Sequence, residues 1–229
     1  MDNAIISLKG VGLSYRKKKS FFRHEYYEAL KDITFDVKPG ETLGIIGRNG
    51  AGKSTLLKIL SGIYLPDKGT IINRSKKTSL LTLQAGFDQN LSGKDNVVLS
   101  GMLLGYSKAK IYSELDNIES YSELGKFFHE PIKTYSTGMR TRLGFATATY
   151  LKPEVLLLDE VLGVGDERFK AKATETMTEM MQSDHTVVLV SHSGAAMTAY
   201  CDRIIWIEGG TVKGEGSPAE TLSRYSESS

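Results

Sequence analysis

Residues Gly47 to Ser54 read GRNGAGKS and fit the pattern G-x-x-x-x-G-K-[ST]. Gly47, Gly50 and Gly52 allow backbone angles that expose consecutive N–H groups to a run of phosphates, with Asn49 and Ala51 completing the loop. A helix starting near Lys53 aims the positive end of its dipole at the same charge. In that setting Lys53 reaches the outer phosphates of a nucleoside triphosphate, Ser54 ligates Mg²⁺, and Thr55 adds a contact nearer the α-phosphate.

A second group of residues suits the same chemistry. The apolar run VLLLDE carries Asp159 to the C-terminal edge of a strand, where open α/β sheets bind ligands. There Asp159 would hold Mg²⁺ through water. The next residue, Glu160, could accept a proton from the attacking water or orient it. His192 closes the strand TVVLVSH; beside a triphosphate it can donate to the γ-phosphate, and elsewhere it would serve as a hydrogen-bonded turn residue. Gln84 ends the strand SLLTLQ and could ligate Mg²⁺ or the water, with Gln89 as a rival. His24, His129 and His185 have no such context and read as surface residues.

A second anion site is suggested by YSTGM, residues 135–139, where Ser136 and Gly138 stand at the head of a helical pattern. Spacing alone does not say which phosphates it serves. A helix of roughly fifteen residues spans about 22 Å, and the strand that follows could run back and bring Asp159 near Ser136.

The elements that must position these residues follow from periodicity. AIISLKGVGLSY and ITFDV read as an antiparallel strand pair, with Ile33, Phe35 and Val37 on one face. The basic, aromatic stretch RKKKSFFRHEYYEAL between them reads as an excursion longer than a tight hairpin needs. ETLGIIG is a strand entering the glycine loop, and STLLKILSG is a helix closed by Gly62. GTIINRS and SLLTLQ are further strands. From 91 to 151 the pattern is helical, in KDNVVLSGMLLGY, SKAKIYSELDNIESYSEL and TGMRTRLGFATATYL, with Pro131 separating the last two. After Pro153 strands and helices alternate again: VLLLDE, ERFKAKATETMTEMM, TVVLVSH, SGAAMTAYC, and a hairpin RIIWIEGGTVKGEGSP turning at Gly209-Gly210. The final SESS is expected to fray. These elements predict an α/β fold: a P-loop NTPase core with a parallel sheet, an antiparallel β subdomain and an inserted α-helical subdomain. The core and β subdomain take 1–90 and 152–229, and the helical insert takes about 91–151.

Composition narrows the class. The chain has 229 residues, 40% of them hydrophobic, with a formal net charge of +2. That suits one globular domain with no nucleic acid as partner. The single cysteine, Cys201, excludes an internal disulfide and reads as a small buried hydrophobe. The N-terminus shows no signal peptide, and no apolar run reaches the roughly 18 residues that span a bilayer.

Over essentially its whole length the chain resembles an ABC-transporter nucleotide-binding domain. The motif order matches: an aromatic in the first strand, the phosphate loop, a glutamine, a helical segment, a signature, an aspartate–glutamate strand, a further aspartate and a histidine. YSTGM stands where the family writes L-S-G-G-Q; Ser136 and Gly138 match, whereas Thr137 and Met139 depart. Asp166 falls at the family's D-loop aspartate. Tyr15 falls where the family stacks an aromatic on adenine, with Tyr26 and Phe22 as competitors. The resemblance implies ATP and Mg²⁺ as ligands. It also implies a homodimer in which each signature caps the ATP held by the other copy.

YSTGM with RLGFA, and DEVLGVGD with FKAK, are similar to the ATPases of bacterial polysaccharide exporters for O-antigen, capsule or teichoic acid. This resemblance implies a separate integral membrane permease, in two copies. It implies a lipid-linked polysaccharide as the transported substrate and a peripheral position on the cytoplasmic face of the bacterial inner membrane. A small-solute importer ATPase and a soluble, non-transport ABC ATPase are the alternatives. Some exporter ATPases carry a C-terminal carbohydrate-binding domain, and none is expected here. Arg16 to Lys19 with Phe21 and Phe22 reads as a solvated loop. The alternative is a contact with the permease, anionic headgroups or a lipid-linked pyrophosphate.

Overall fold

The structure is a computed structural model that describes residues 3–20, 23–81, 87–159, 167–181 and 183–228. Two compact units emerge, Met1–Lys76 with Met181–Ser229, and Lys77–Met180.

The first unit is built on strands. β1 (Ile6–Ser20) and β2 (Arg23–Val37) pair antiparallel, from Ile6 opposite Val37 to Ser20 opposite Arg23. The described residues of the basic, aromatic stretch, 16–20 and 23–30, are therefore strand rather than excursion. Its cross-strand partners alternate regularly: Tyr15 opposite Tyr27, Arg16 opposite Tyr26, Lys17 opposite Glu25. Tyrosines are good strand formers, and residues directly opposite each other share a face. β3 (Thr42–Ile46) lies parallel to both β7 (Thr186–Val190) and β8 (Arg203–Glu208). β4 (Lys68–Asn73) pairs with β1, and β9 (Thr211–Gly216) pairs with β8 across the Gly209-Gly210 turn. β3 and β7 are buried along their full length, as expected for uninterrupted apolar strands covered on both faces.

Helix α1 (Lys53–Leu60) buries Leu56, Leu57, Ile59 and Leu60. Near the C-terminus, α6 (Gly194–Tyr200) carries Met197 and leads into Cys201, both buried. Burial pushes the Cys201 thiol up to about 12, so it behaves as the inert hydrophobe that its surroundings predict. The chain ends in a further helix, α7 (Pro218–Glu227), which packs Tyr225 edge-on to Trp206 at 5.6 Å. Ser217 caps it and proline opens its first turn, a local start signal for a helix.

One ion cluster ties this sheet together. The Arg203 guanidinium donates to the Glu41 carboxylate at 2.8 Å, to the Asp36 carbonyl at 2.6 Å, and to Glu215. Burial works against that charge, but Glu41 and Glu215 outweigh it and hold the Arg203 pKa above its ordinary value.

In the second unit, β5 (Thr78–Leu81) and β6 (Val155–Asp159) run parallel. Helices α2 (Gly93–Leu103), α3 (Lys108–Ser122) and α4 (Thr137–Leu151) begin at Ser92, Ser107 and Ser136, each accepting a backbone N–H from its first turn. The fourth helix, α5 (Glu167–Met181), brings Phe169 against Tyr121 and Phe145. Lys172 lies over the Tyr121 ring at 4.2 Å and pairs with Glu123 at 2.8 Å.

Candidate active site

The glycine loop joins β3 to α1, and steric limits fix its glycines. At Gly47 (φ 155) a Cβ would lie 2.2 Å from the carbonyl oxygen of Ile207 on β8, and at Gly52 (φ 105) a Cβ would lie 2.6 Å from that of Ala29 on β2. No side chain fits either place without displacing backbone. Gly50, at φ 81, is different: a Cβ there would meet nothing within 4 Å. The loop is thus wedged against two strands, with an open outer face.

The helix end carries no side-chain cap. The first N–H groups of a helix have no partner inside it, and Gly52 offers no side chain to cap them. A helix start with no side-chain cap, together with the helix dipole, suits phosphate. Lys53 is only 7% exposed. Its ammonium donates to the carbonyl of Gly47 at 2.7 Å and to that of Arg48 at 3.1 Å. Ser54 is exposed beside it and Thr55 is half-buried, while Asn49 faces solvent and Ala51 is buried.

The β1–β2 hairpin meets this loop with two tyrosines. Tyr15 is half-buried, and its hydroxyl lies 3.1 Å from Thr55 Oγ1; its ring sits edge-on to Tyr64 at 6.0 Å. Tyr27 donates its hydroxyl to the Gly50 carbonyl at 3.1 Å. A cavity of about 470 Å³ opens here, lined by Tyr15, Arg16, Glu25, Tyr26 and Tyr27. Of the aromatic competitors, Tyr26 lines this cavity, and Phe22 lies outside the described residues. Tyr27 did not stand out in the sequence. The strand register that pairs it with Tyr15 is the signal that places it at the loop.

His192 follows β7 in an exposed bend, two residues beyond the strand end at Val190 and ahead of the Ser193 cap of α6.

In the second unit, Asp159 is the last residue of β6 and is half-buried. Ser136 is the N-cap of α4, its Oγ accepting from the Met139 N–H at 3.2 Å. A hydroxyl that accepts in this way keeps its own proton to donate outward. Gly138 stands in the first turn, half-buried. Tyr135, just before the cap, is buried and donates to the Phe127 carbonyl. Burial pushes its phenol up to about 12, so it stays a neutral structural donor. Gln84, Glu160 and Asp166 lie outside the described residues; Gln89 is exposed in the turn before α2.

The donor chemistry suits a hard dication. The Ser54 hydroxyl in the first unit and the Asp159 carboxylate in the second are each an oxygen donor of the kind that Mg²⁺ accepts. Among the described residues no cluster of three or more His, Cys, Asp and Glu could hold a metal by itself.

Comparison with known proteins identifies the family. A family model described as ABC transporter matches residues 30–163. The chain is 43% identical to an O-antigen export system ATP-binding protein of Myxococcus xanthus, over 87% of this chain and 46% of that one. It is 38% identical to the protein of the same name from Klebsiella pneumoniae, over 93% of this chain and 87% of that one. It is also 38% identical to a teichoic acids export ATP-binding protein of Bacillus anthracis, over 92% and 39%. The chain thus spans less than half of two of these relatives and most of the third. Among solved structures, it is similar in fold to a dimeric ATP-binding cassette bound to ADP and phosphate, with a TM-score of 0.75 and 24% identity over 93% of this chain and 98% of that one. An ATP-binding subunit of an ABC transporter matches with a TM-score of 0.77 and 23% identity, over 97% and 93%. The phosphate loop, the mixed sheet, the helical segment and these matches place the chain in the ABC transporter family.

Proposed function

We propose that this protein is the ATP-hydrolysing subunit of a bacterial ABC exporter that moves a lipid-linked polysaccharide across the cytoplasmic membrane. The observation that carries the substrate class is the near full-length match to the Klebsiella pneumoniae O-antigen export system ATP-binding protein. The observation that supports ATP is the wedged, open glycine loop with Lys53 at its mouth.

The reaction is ATP and water to ADP and phosphate. The loop N–H groups and Lys53 hold the β- and γ-phosphates, Thr55 supports the α-phosphate, and Tyr15 stacks on the adenine. Ser54, Asp159 and Gln84 would hold Mg²⁺, which when bound offsets charge on the phosphates. Glu160 takes or orients the proton of the attacking water, and His192 donates to the γ-phosphate. A second copy of the chain supplies Ser136 and Gly138, through the outward hydroxyl proton and first-turn N–H groups of α4; Asp166 is assigned to the same nucleotide site by its motif position alone. ATP then closes the dimer because it touches both copies, and loss of the γ-phosphate loosens it.

No helix among the described residues is long and apolar enough to cross a membrane. In this reading the translocation path belongs to a separate permease, in two copies, with this chain bound at its cytoplasmic face. Deleting the gene in its host tests the proposal. Surface polysaccharide should be lost while lipid-linked polymer accumulates inside, and a normal surface coat would contradict it.

A further inference from the structure

Tyr15 and Tyr27 face each other across the β1–β2 hairpin, yet their hydroxyls go to different targets. Tyr15 reaches a side chain on α1, Thr55 Oγ1. Tyr27 reaches backbone, the carbonyl of Gly50. We propose that Tyr27 is a positioning residue for the phosphate loop, acting through the Gly50–Ala51 peptide on Lys53; this rests on the nucleotide reading above.

The linkage can be followed bond by bond. The Gly50–Ala51 peptide is trans, so its C=O and N–H point in opposite directions. Tyr27 fixes the carbonyl end at 3.1 Å. The N–H end donates to the Arg48 carbonyl, also at 3.1 Å. That same Arg48 oxygen accepts from Lys53 Nζ at 3.1 Å, and Nζ donates in turn to the Gly47 carbonyl at 2.7 Å. One run of hydrogen bonds thus leads from the hairpin, through the loop apex, to the cation that meets phosphate.

Packing at the apex cannot do this work. Gly50 has no side chain, and an added Cβ would touch nothing within 4 Å. At φ 81 a glycine has a wide choice of neighbouring conformations, so an anchored peptide plane limits the loop where its own sequence does not. Two tyrosines in register therefore divide the labour. Tyr15 lines the nucleoside side of the cavity, and Tyr27 holds the peptide that sets the lysine. The ligand that senses Tyr27 is the polyphosphate, not the base.

The test uses the purified full chain, calorimetric titration with ATP and with inorganic tripolyphosphate, and the variants Tyr27→Phe and Tyr15→Ala. Tyr27→Phe removes only the hydroxyl. It should weaken ATP and tripolyphosphate by the same factor, about three- to ten-fold, the worth of one hydrogen bond, at an unchanged melting temperature. Tyr15→Ala should weaken ATP and leave tripolyphosphate alone. A Tyr27→Phe protein that loses affinity for ATP only, or for neither ligand, would overturn the proposal, as would a loss that follows a fall in melting temperature. Wild-type protein that binds neither ligand would overturn the nucleotide reading first, and this inference with it.

Discussion

Lys53 folds its ammonium back onto the loop that precedes it, with Nζ 2.7 Å from the Gly47 carbonyl oxygen. The charge is thereby held at the loop mouth before any phosphate arrives. A preset cation reorganises little when charge develops on the transferring group, which is the condition under which such a contact contributes most. Lys53→Ala should lower ATP turnover by about a hundred-fold or more. Steady-state phosphate release measures this, and turnover within a few-fold of wild type would contradict it.

Glu160 follows Asp159 at the end of the strand sequence VLLLDE. A carboxylate can take a proton where an amide cannot. Glu160→Gln should bind ATP and form a stable dimer while hydrolysing roughly 10²- to 10⁴-fold more slowly. Size-exclusion chromatography with ATP, followed by a turnover assay, separates these effects. Full turnover by the variant would remove Glu160 from the chemistry.

Arg203 binds three acceptors on different segments: Glu41, Glu215 and the Asp36 carbonyl. The Glu41 side chain is mostly buried, and removing its partner leaves a poorly solvated charge. Arg203→Ala should therefore destabilise the chain by about 3 kcal/mol in urea unfolding. Arg203→Ala together with Glu41→Gln should recover part of that loss, because the stranded charge is gone. Equal stability of Arg203→Ala and wild type would show that solvent already screens the pair.

Much of this architecture was legible because its signals are local. The glycine loop, the apolar strands around it and the helices of 91–151 are each specified within a short window. The β1–β2 hairpin was not. Its strands take in residues 16–20 and 23–27, where cations and aromatics come in blocks with no period-two pattern to mark a face, and strand pairing there depends on the opposite strand. Tyr27 is hidden in the sequence for the same reason. A shift of one residue turns a strand's side chains over, so only the register Tyr15–Tyr27 shows which tyrosines face the loop. Helix α7 had a readable start in Ser217-Pro218, but its length comes from packing against β8, through Tyr225 and Trp206. His192 was expected to close a strand; β7 stops at Val190, and the histidine belongs to the bend that leads into α6.

The central claim is that ATP is shared between two copies, with Lys53 from one and Ser136 from the other. Ser136 caps its own helix through Met139, and its outward proton is the part available to a partner's phosphate. The direct measurement mixes Lys53→Ala chains with Ser136→Arg chains and follows ATP turnover. Each variant alone should be inactive. In a random two-fold dimer the mixture restores about a quarter of the sites, and turnover should reappear with them. A mixture as inactive as either parent would mean that each copy encloses its own nucleotide, and would contradict the account.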